Sequence, residues 1–348
     1  MTITALATTG RDALILVGQM ANEYADGNVF EDFNGRKADN TLRAYRADLD
    51  GFAAFLHDAS SGEVNVTGAA LQTTPEAWTG VTWGLVTAFV QWLLKAGASV
   101  ATINRKLAAV KVYAALAAEA GAIDGQDAAR IANRVHGYTG KAARNVDKER
   151  TAAGAKTRQS TKKAAHVALT VDQVQALKTQ PDTPQGRRDA LLMALLLDHG
   201  LRVGEVAILT VDAFQTDETG RFTFYRPKVG KTQTHRLTVD TQRAVTAYMQ
   251  DAPAAGSLLF RQSVKGGRLT DGAGISERNL SERVRTIGRR LGIDNLSAHD
   301  CRHSWATRAV AAGTEAFALR DAGGWASLAM PSRYVEAAAI ANERVTLG

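Results

Sequence analysis

Between Thr139 and Ala165 the chain carries a stretch that no hydrophobic core can use: Val146 is its one large apolar residue, and the rest is largely Ala, Gly, Thr, Ser and charge. Such a composition describes a linker, and it divides a chain of 348 residues that is already too long for one ordinary core. We therefore expect a domain over 1–140, a basic interdomain linker over 141–165 and a second domain over 166–348. The linker holds Lys141, Arg144, Lys148, Arg150, Lys156, Arg158, Lys162 and Lys163 against only Asp147 and Glu149, which is nearly all of the net charge of +7. A cationic strap suits a phosphate backbone, because each neutralised phosphate releases counterions and adds affinity independent of base sequence. Its plainer role is a solvated basic surface.

Upstream, apolar residues recur every three or four positions, the spacing that keeps one helix face buried. Leu42, Tyr45, Leu49, Phe52 and Leu56 make one such face, with Asn40 or Thr41 as its cap; Leu85, Val86, Phe89, Val90 and Leu93 make a second, stopped by Gly97. Ile103, Leu107, Val110, Ala114 and Ala117 make a third, with Thr102 as cap and Gly121 as stop. Opposite the apolar stripes lie Arg43, Arg46, Asn104, Arg105, Lys106 and Lys111. Singly the arginines and lysines are solvated cations; as a set, with Thr102, Lys141 and Arg144, they are the candidate DNA contacts of a helical module.

Downstream, helices are expected from Thr170, over Asp189–Leu197 into Gly200, and at 241–249, 282–291, 300–312 and 314–322. Arg221–Tyr225, the turn Pro227–Gly230 and His235–Val239 alternate like a small antiparallel hairpin. The fold class is thus mainly α, with a small antiparallel sheet in the second domain. With 45% hydrophobic and 22% charged residues the chain is globular, which excludes wholesale disorder. The lone Cys301 excludes an internal disulfide and a Cys-based metal cage, and fits a reducing compartment. Ala190–Leu197 is the longest apolar run, far short of the roughly 20 residues of a membrane span, and Met1–Met20 has no targeting pattern. A soluble, cytoplasmic protein follows, in the nucleoid if bacterial, and the pI near 9.5 favours an anionic partner.

The residues with chemistry are Arg202 with Glu205, Lys231, His299 with Arg302, Trp325 and Tyr334. Taken alone, each has a bland role: a surface ion pair for Arg202 and Glu205, packing for Trp325, and His-x-x-Arg occurs a second time at His199/Arg202. Their order and context carry the signal. "HGLRVGEVAIL", "VGKTQTHRLTV", "SAHDCRHSWATRAVAAG" and "AGGWASLAMPSRYVE" follow one another in a way that strongly resembles the tyrosine recombinases, the phage integrase family. "NTLRAYRADLDGFAAFL" and "ATINRKLAAVKVYAALAAEAG" are similar to the family's helical core-binding domain. Trp325 in place of a second histidine and the nine-residue step to Tyr334 look most like the Cre-type branch. The resemblance implies the DNA breaking-rejoining fold and cleavage of double-stranded DNA at a partly palindromic site. It also implies strand exchange through a Holliday junction by a homotetramer that is monomeric when free.

In this reading Tyr334 is the nucleophile, and a phenol with an ordinary pKa near 10 needs a cationic surrounding. Arg202 and Arg302 hold the charge on the non-bridging oxygens, an effect of about 10² to 10³ in rate per donor. Lys231 protonates the departing 5′ oxygen, although Lys228 on the same hairpin remains an alternative. His299 assists proton transfer at the phosphate or the tyrosine, Trp325 donates its indole N–H, Glu205 orients Arg202, and His303 supports. His199 and Cys301 are structural. No cofactor and no metal is called for, since the phosphotyrosyl bond keeps the free energy of the phosphodiester. Gly230-Lys231-Thr232 mimics the end of a nucleotide-binding loop, but Tyr225 stands where its first glycine belongs. The tail after Tyr334, with Val335, Ile340, Val345 and Leu347, can form an apolar helix that packs on its own domain or on a neighbour. A topoisomerase or hairpin-end resolvase with the same chemistry, and a DNA-binding module without catalysis, are the alternatives.

Overall fold

The computed structural model describes residues 10–154, 166–214 and 220–338. The chain divides into two compact units, Met1–Lys162 and Lys163–Gly348. Lys156, Arg158, Lys162, Lys163 and the tail from Ile340 lie outside the described residues.

The first unit is helical: α1 (Gly10–Gly35), α2 (Asp39–Ala59), α3 (Gly68–Thr73), α4 (Trp83–Lys95), α5 (Val100–Glu119), α6 (Gly125–Arg134) and α7 (Gly140–Ala152). The predicted stripes are its core. Leu49, Phe52 and Leu56 of α2 meet Val86, Phe89, Val90 and Leu93 of α4 and Ile103, Leu107 and Val110 of α5, all buried. Trp78 stacks on Phe52 at 5.7 Å and donates its indole N–H to the Leu71 carbonyl at 2.8 Å, so its one polar atom is satisfied in the core.

Helix starts differ from expectation. Helix α2 begins at Asp39 after Ala38, without a side-chain cap, and Asn40 instead accepts from Arg43. Helix α5 is capped by Ser99, whose Oγ accepts the Thr102 amide at 3.2 Å, so Thr102 sits one turn inside. The expected linker is helical through Ala152, because alanines and long charged side chains propagate a helix well even with nothing buried. Arg150 ties α7 down by donating to the Leu94 and Ala98 carbonyls at 2.6 and 2.8 Å, at the C-terminal end of α4.

The second unit contains α8 (Val171–Lys178), α9 (Pro184–Asp198), α10 (Val203–Ala207), β1 (Arg221–Arg226), β2 (Lys231–Arg236), α11 (Val239–Met249), β3 (Arg261–Ser263), β4 (Leu269–Gly274), α12 (Glu277–Arg290), α13 (Ala298–Ala311), α14 (Ala316–Gly323) and α15 (Ala329–Ala338). Helix α9 is apolar all round from Leu191 to Leu197 and is correspondingly the buried centre. It begins at Pro184, earlier than its apolar run suggests, because Thr183 caps it and proline suits the first turn. Strands β1 and β2 form one antiparallel hairpin, and β3 and β4 form a second that sequence did not anticipate. The second strand starts at Lys231, not His235: Gly230 takes the left-handed conformation (φ 61°) that turns the chain, and pairing resumes at once with Arg226 opposite Lys231. Among the described residues no helix is long and apolar enough to cross a membrane.

Candidate active site

Four helices of the second unit bring Arg202, Glu205, His299, Arg302, Trp325 and Tyr334 together. Arg202 precedes α10, and Glu205 reaches back to accept the Arg202 amide with Oε2 at 2.8 Å, a box that closes the helix start. On α13, Ser297 caps the helix through the Asp300 amide, and His299, Arg302 and His303 project at three- and four-residue spacing. Helix α14 is followed by Gly324, in the left-handed conformation (φ 61°), which hands the chain to Trp325 and then to α15, where Tyr334 lies.

The carbonyls that end α14 organise the cations. Arg302 donates to Gly323 O at 2.5 Å and to Gly200 O. Arg202 donates to Gly324 O at 3.3 Å and to Glu205 Oε1 at 2.8 Å. A third arginine, Arg226 at the end of β1, donates to Ala322 O at 2.7 Å, to Gly323 O at 3.1 Å and to both Glu205 oxygens at 2.9–3.0 Å. Guanidinium groups gather there because the last carbonyls of a helix carry its partial negative charge. Arg226 is fully buried and Glu205 is 2% exposed, so one carboxylate is shared by two arginines, whereas only Arg202 was expected. Burial lowers the pKa of Arg226, and Glu205 opposes the shift. Burial, then the nearby Arg202, lowers that of Arg302. Arg226 escaped the motif reading, but the strand pattern held a signal: Phe222, Phe224 and Arg226 alternate on the buried face of β1.

Trp325 packs its ring 4.3 Å from the Arg302 guanidinium, 6.1 Å from Trp305 and 6.0 Å from the Tyr334 ring. Gly323 keeps this stack closed, since a side chain there would enter the Trp325 ring. Lys231 and Lys228 are both exposed. Lys231 lies directly opposite Arg226 in the ladder, whereas Lys228 is in the turn.

Tyr334 is 8% exposed, and its hydroxyl lies 2.8 Å from Nδ1 of His303, the residue given only a supporting part. His303 Nε2 is in turn 3.0 Å from His299 Nε2. Burial raises the phenol pKa and Arg302 lowers it again. Burial first, then the neighbouring imidazoles of His166 and His299, holds His303 down at about 4, so it is neutral near pH 7. His299 is lowered for the same first reason. His166, from the segment before α8, stacks on His303 at 3.5 Å. The three histidines offer ring nitrogens all within 4.8 Å of one another, a group able to hold a metal ion where the sequence suggested none. His199 is buried against Thr241 at 3.1 Å, and Cys301 is buried in α13.

The candidate DNA contacts of the first unit are partly committed within it. Arg105 pairs with the buried Asp48 at 2.5 Å, and Lys106, only 17% exposed, lies 3.9 Å from the same carboxylate. Arg46 donates to Gln72 at 2.9 Å and Lys111 to the Ala132 carbonyl at 2.8 Å. Arg43, Lys141 and Arg144 are exposed, and Thr102 is half-buried.

Residues 168–340 match the model of the phage integrase family. Over 311 residues the chain is 25% identical to the tyrosine recombinase XerC of Herpetosiphon aurantiacus, covering 88% of this chain and 86% of that one. It is 28% identical to the XerC of Mycobacterium tuberculosis, with 86% and 88% covered. A match to the Myxococcus xanthus XerC, 29% identical over 183 residues, takes in 48% of this chain and 57% of the relative. Two solved structures share the fold. One is the XerH site-specific recombinase bound to its difH substrate (TM-score 0.55, 15% identity, 97% of this chain and 90% of that one). The other is a lambda integrase dimer bound to a core site (TM-score 0.56, 14% identity, 88% and 95%).

Proposed function

We propose that this chain, whose residues 168–340 match the phage integrase family, is a tyrosine recombinase that cuts and rejoins DNA at specific sites through a 3′-phosphotyrosyl intermediate on Tyr334. The observation that carries this reading is the Tyr334 hydroxyl, 2.8 Å from an imidazole held neutral and packed beside the Trp325 ring that covers Arg302. As the phenol oxygen attacks phosphorus, its proton passes to His303 Nδ1, with His299 next in line. Arg202 and Arg302 are fixed by carbonyls and Glu205, and each guanidinium has five N–H donors, which leaves donors for the non-bridging oxygens. Glu205 positions Arg202, and Arg226 positions Glu205. Trp325 buttresses Arg302 and offers its indole N–H to the phosphate. The P–O5′ bond breaks as Lys231 gives a proton to the departing oxygen; its place opposite Arg226 supports it over Lys228. The 5′ hydroxyl of a second strand reverses these steps without a cofactor.

The target is double-stranded DNA with a partly palindromic site. Four copies exchange strands in pairs through a Holliday junction, and the free protein is a monomer of the cytoplasm or nucleoid. Trp325 and the nine-residue step to Tyr334 support a Cre-like arrangement of the site. Arg43, Lys141 and Arg144 are the first unit's best-placed phosphate contacts because they are exposed and, unlike Arg46 and Arg105, are not paired to another helix among the described residues. The test is to express wild type and Tyr334→Phe beside DNA of the source organism, quench with denaturant and sequence the DNA attached to protein. Adducts at a few inverted-repeat sites, absent in the variant, are expected. Scattered adducts would replace the proposal with a topoisomerase, and no adducts from a protein that binds DNA would leave a binding module.

A further inference from the structure

We propose that His166, His299 and His303 form a binding site for a divalent transition-metal ion of the zinc type, and that an ion bound there withholds Tyr334 from reaction. The chemistry of the donors is the first ground. Three imidazoles without a carboxylate or thiolate ligand suit zinc, copper or nickel and not magnesium or calcium, which take oxygen.

The geometry is the second ground. His299 and His303 are four residues apart on α13, so one helix turn presents both rings to the same side. Their Nε2 atoms face each other at 3.0 Å. Two nitrogens each about 2.0–2.1 Å from a tetrahedral zinc stand only slightly further apart, at about 3.4 Å. His166 completes the group from a separate segment, its ring 5.5 Å from that of His299 and stacked on His303. Asp300 Oδ1 lies 3.5 Å from His166 Nδ1 and accepts the Val167 amide at 3.1 Å, which supplies the carboxylate partner that commonly orients a ligand imidazole. Three protein ligands leave the fourth position of a tetrahedron open, and it borders a cavity of about 570 Å³ lined in part by Arg308, Arg333 and Tyr334.

The consequence follows from the distance to the nucleophile. An ion drawing on His303 removes the base nearest the phenol, and the Tyr334 oxygen, 3.4 Å from His303 Nε2, is within reach of the open position. This second half rests on the function proposed above; metal binding does not.

Cobalt(II) is the probe, because its visible absorption reports tetrahedral nitrogen coordination without any activity. Titrated into the full chain, it should give one equivalent of a saturable band that zinc displaces. His166→Ala and His166→Gln, which leave the proposed catalytic groups in place, should weaken binding by at least about 10-fold. They should alter metal-free adduct formation far less than metal binding, because burial still holds His303 neutral, and should shift the midpoint of zinc inhibition by the factor lost in binding, with chelator restoring each variant's metal-free activity. No cobalt band, or one indifferent to His166, would overturn the site. Binding without inhibition would overturn its effect on Tyr334. A chain that binds cobalt but forms no adducts on any DNA would refute the recombinase reading and leave the metal site standing.

Discussion

Replacing Glu205 by Gln keeps the shape of the side chain and removes the charge that two arginines share. One amide oxygen can still accept, but the new NH₂ must face a guanidinium or the Arg202 amide, so at least one buried donor loses its partner. Glu205 and Arg226 are both essentially inaccessible to water, so this pair falls in the buried class, where removing one partner costs about 3–5 kcal/mol. Arg202 is a quarter exposed and recovers part of its loss from solvent, so its share is about 1 kcal/mol or less. For a unit of this size each kcal/mol moves Tm by about 2–4 °C, and the transition of the second unit should fall by roughly 6–20 °C. Adduct formation should fall by about 10², because Arg202 loses the group that aims it. Calorimetry on Glu205→Gln, Arg226→Met and the double variant reads this directly. The double should be more stable than the sum of the singles by about 1–3 kcal/mol, since it removes the uncompensated charge. A Tm drop under about 2 °C, or strict additivity, would refute the argument that Glu205 is the shared counter-ion.

Three further outcomes are expected. Gly324→Ala must place a side chain at φ 61° against Arg226 Cδ at 2.6 Å, so it should lose more than the roughly 1–2 kcal/mol of left-handed strain and also lose adduct formation; Gly313→Ala, at φ 89° with no neighbour near, should lose the strain alone. His199, pushed down to about 4 chiefly by burial, takes its proton near pH 6.5 when unfolded. Acid therefore favours unfolding between those values: this contribution is complete above pH 6.5, and about 2 kcal/mol of it goes between pH 7 and 5, a loss that urea melts should find missing in His199→Gln. His303→Ala should slow the single-turnover rate of adduct formation by about 10² or more, and by more than His299→Ala does; the reverse order would place the base at His299.

Local periodicity determined much of the architecture. The stripes of α2, α4 and α5 are the core of the first unit because a 3.6-residue repeat of apolar side chains has one way to leave water. That Arg202, His299, Arg302, Trp325 and Tyr334 belong together was likewise legible, since their sequence context carried the family resemblance. Interactions between segments far apart in the chain were not legible. Arg226 became an anchor of the site only when β1 brought it to the end of α14, nearly a hundred residues on. Lys106 looked like a solvated cation until α5 packed it beside Asp48 of α2, and His303 looked secondary until α15 set Tyr334 on it. The histidines nearest His166 in sequence, His136 and His199, are not its partners, yet it stands in a cluster of three with His299 and His303. A sequence records which groups are present and how they repeat along a helix or strand. Which donor meets which acceptor is settled by packing, because in the interior a charge takes whatever partner the fold brings within reach.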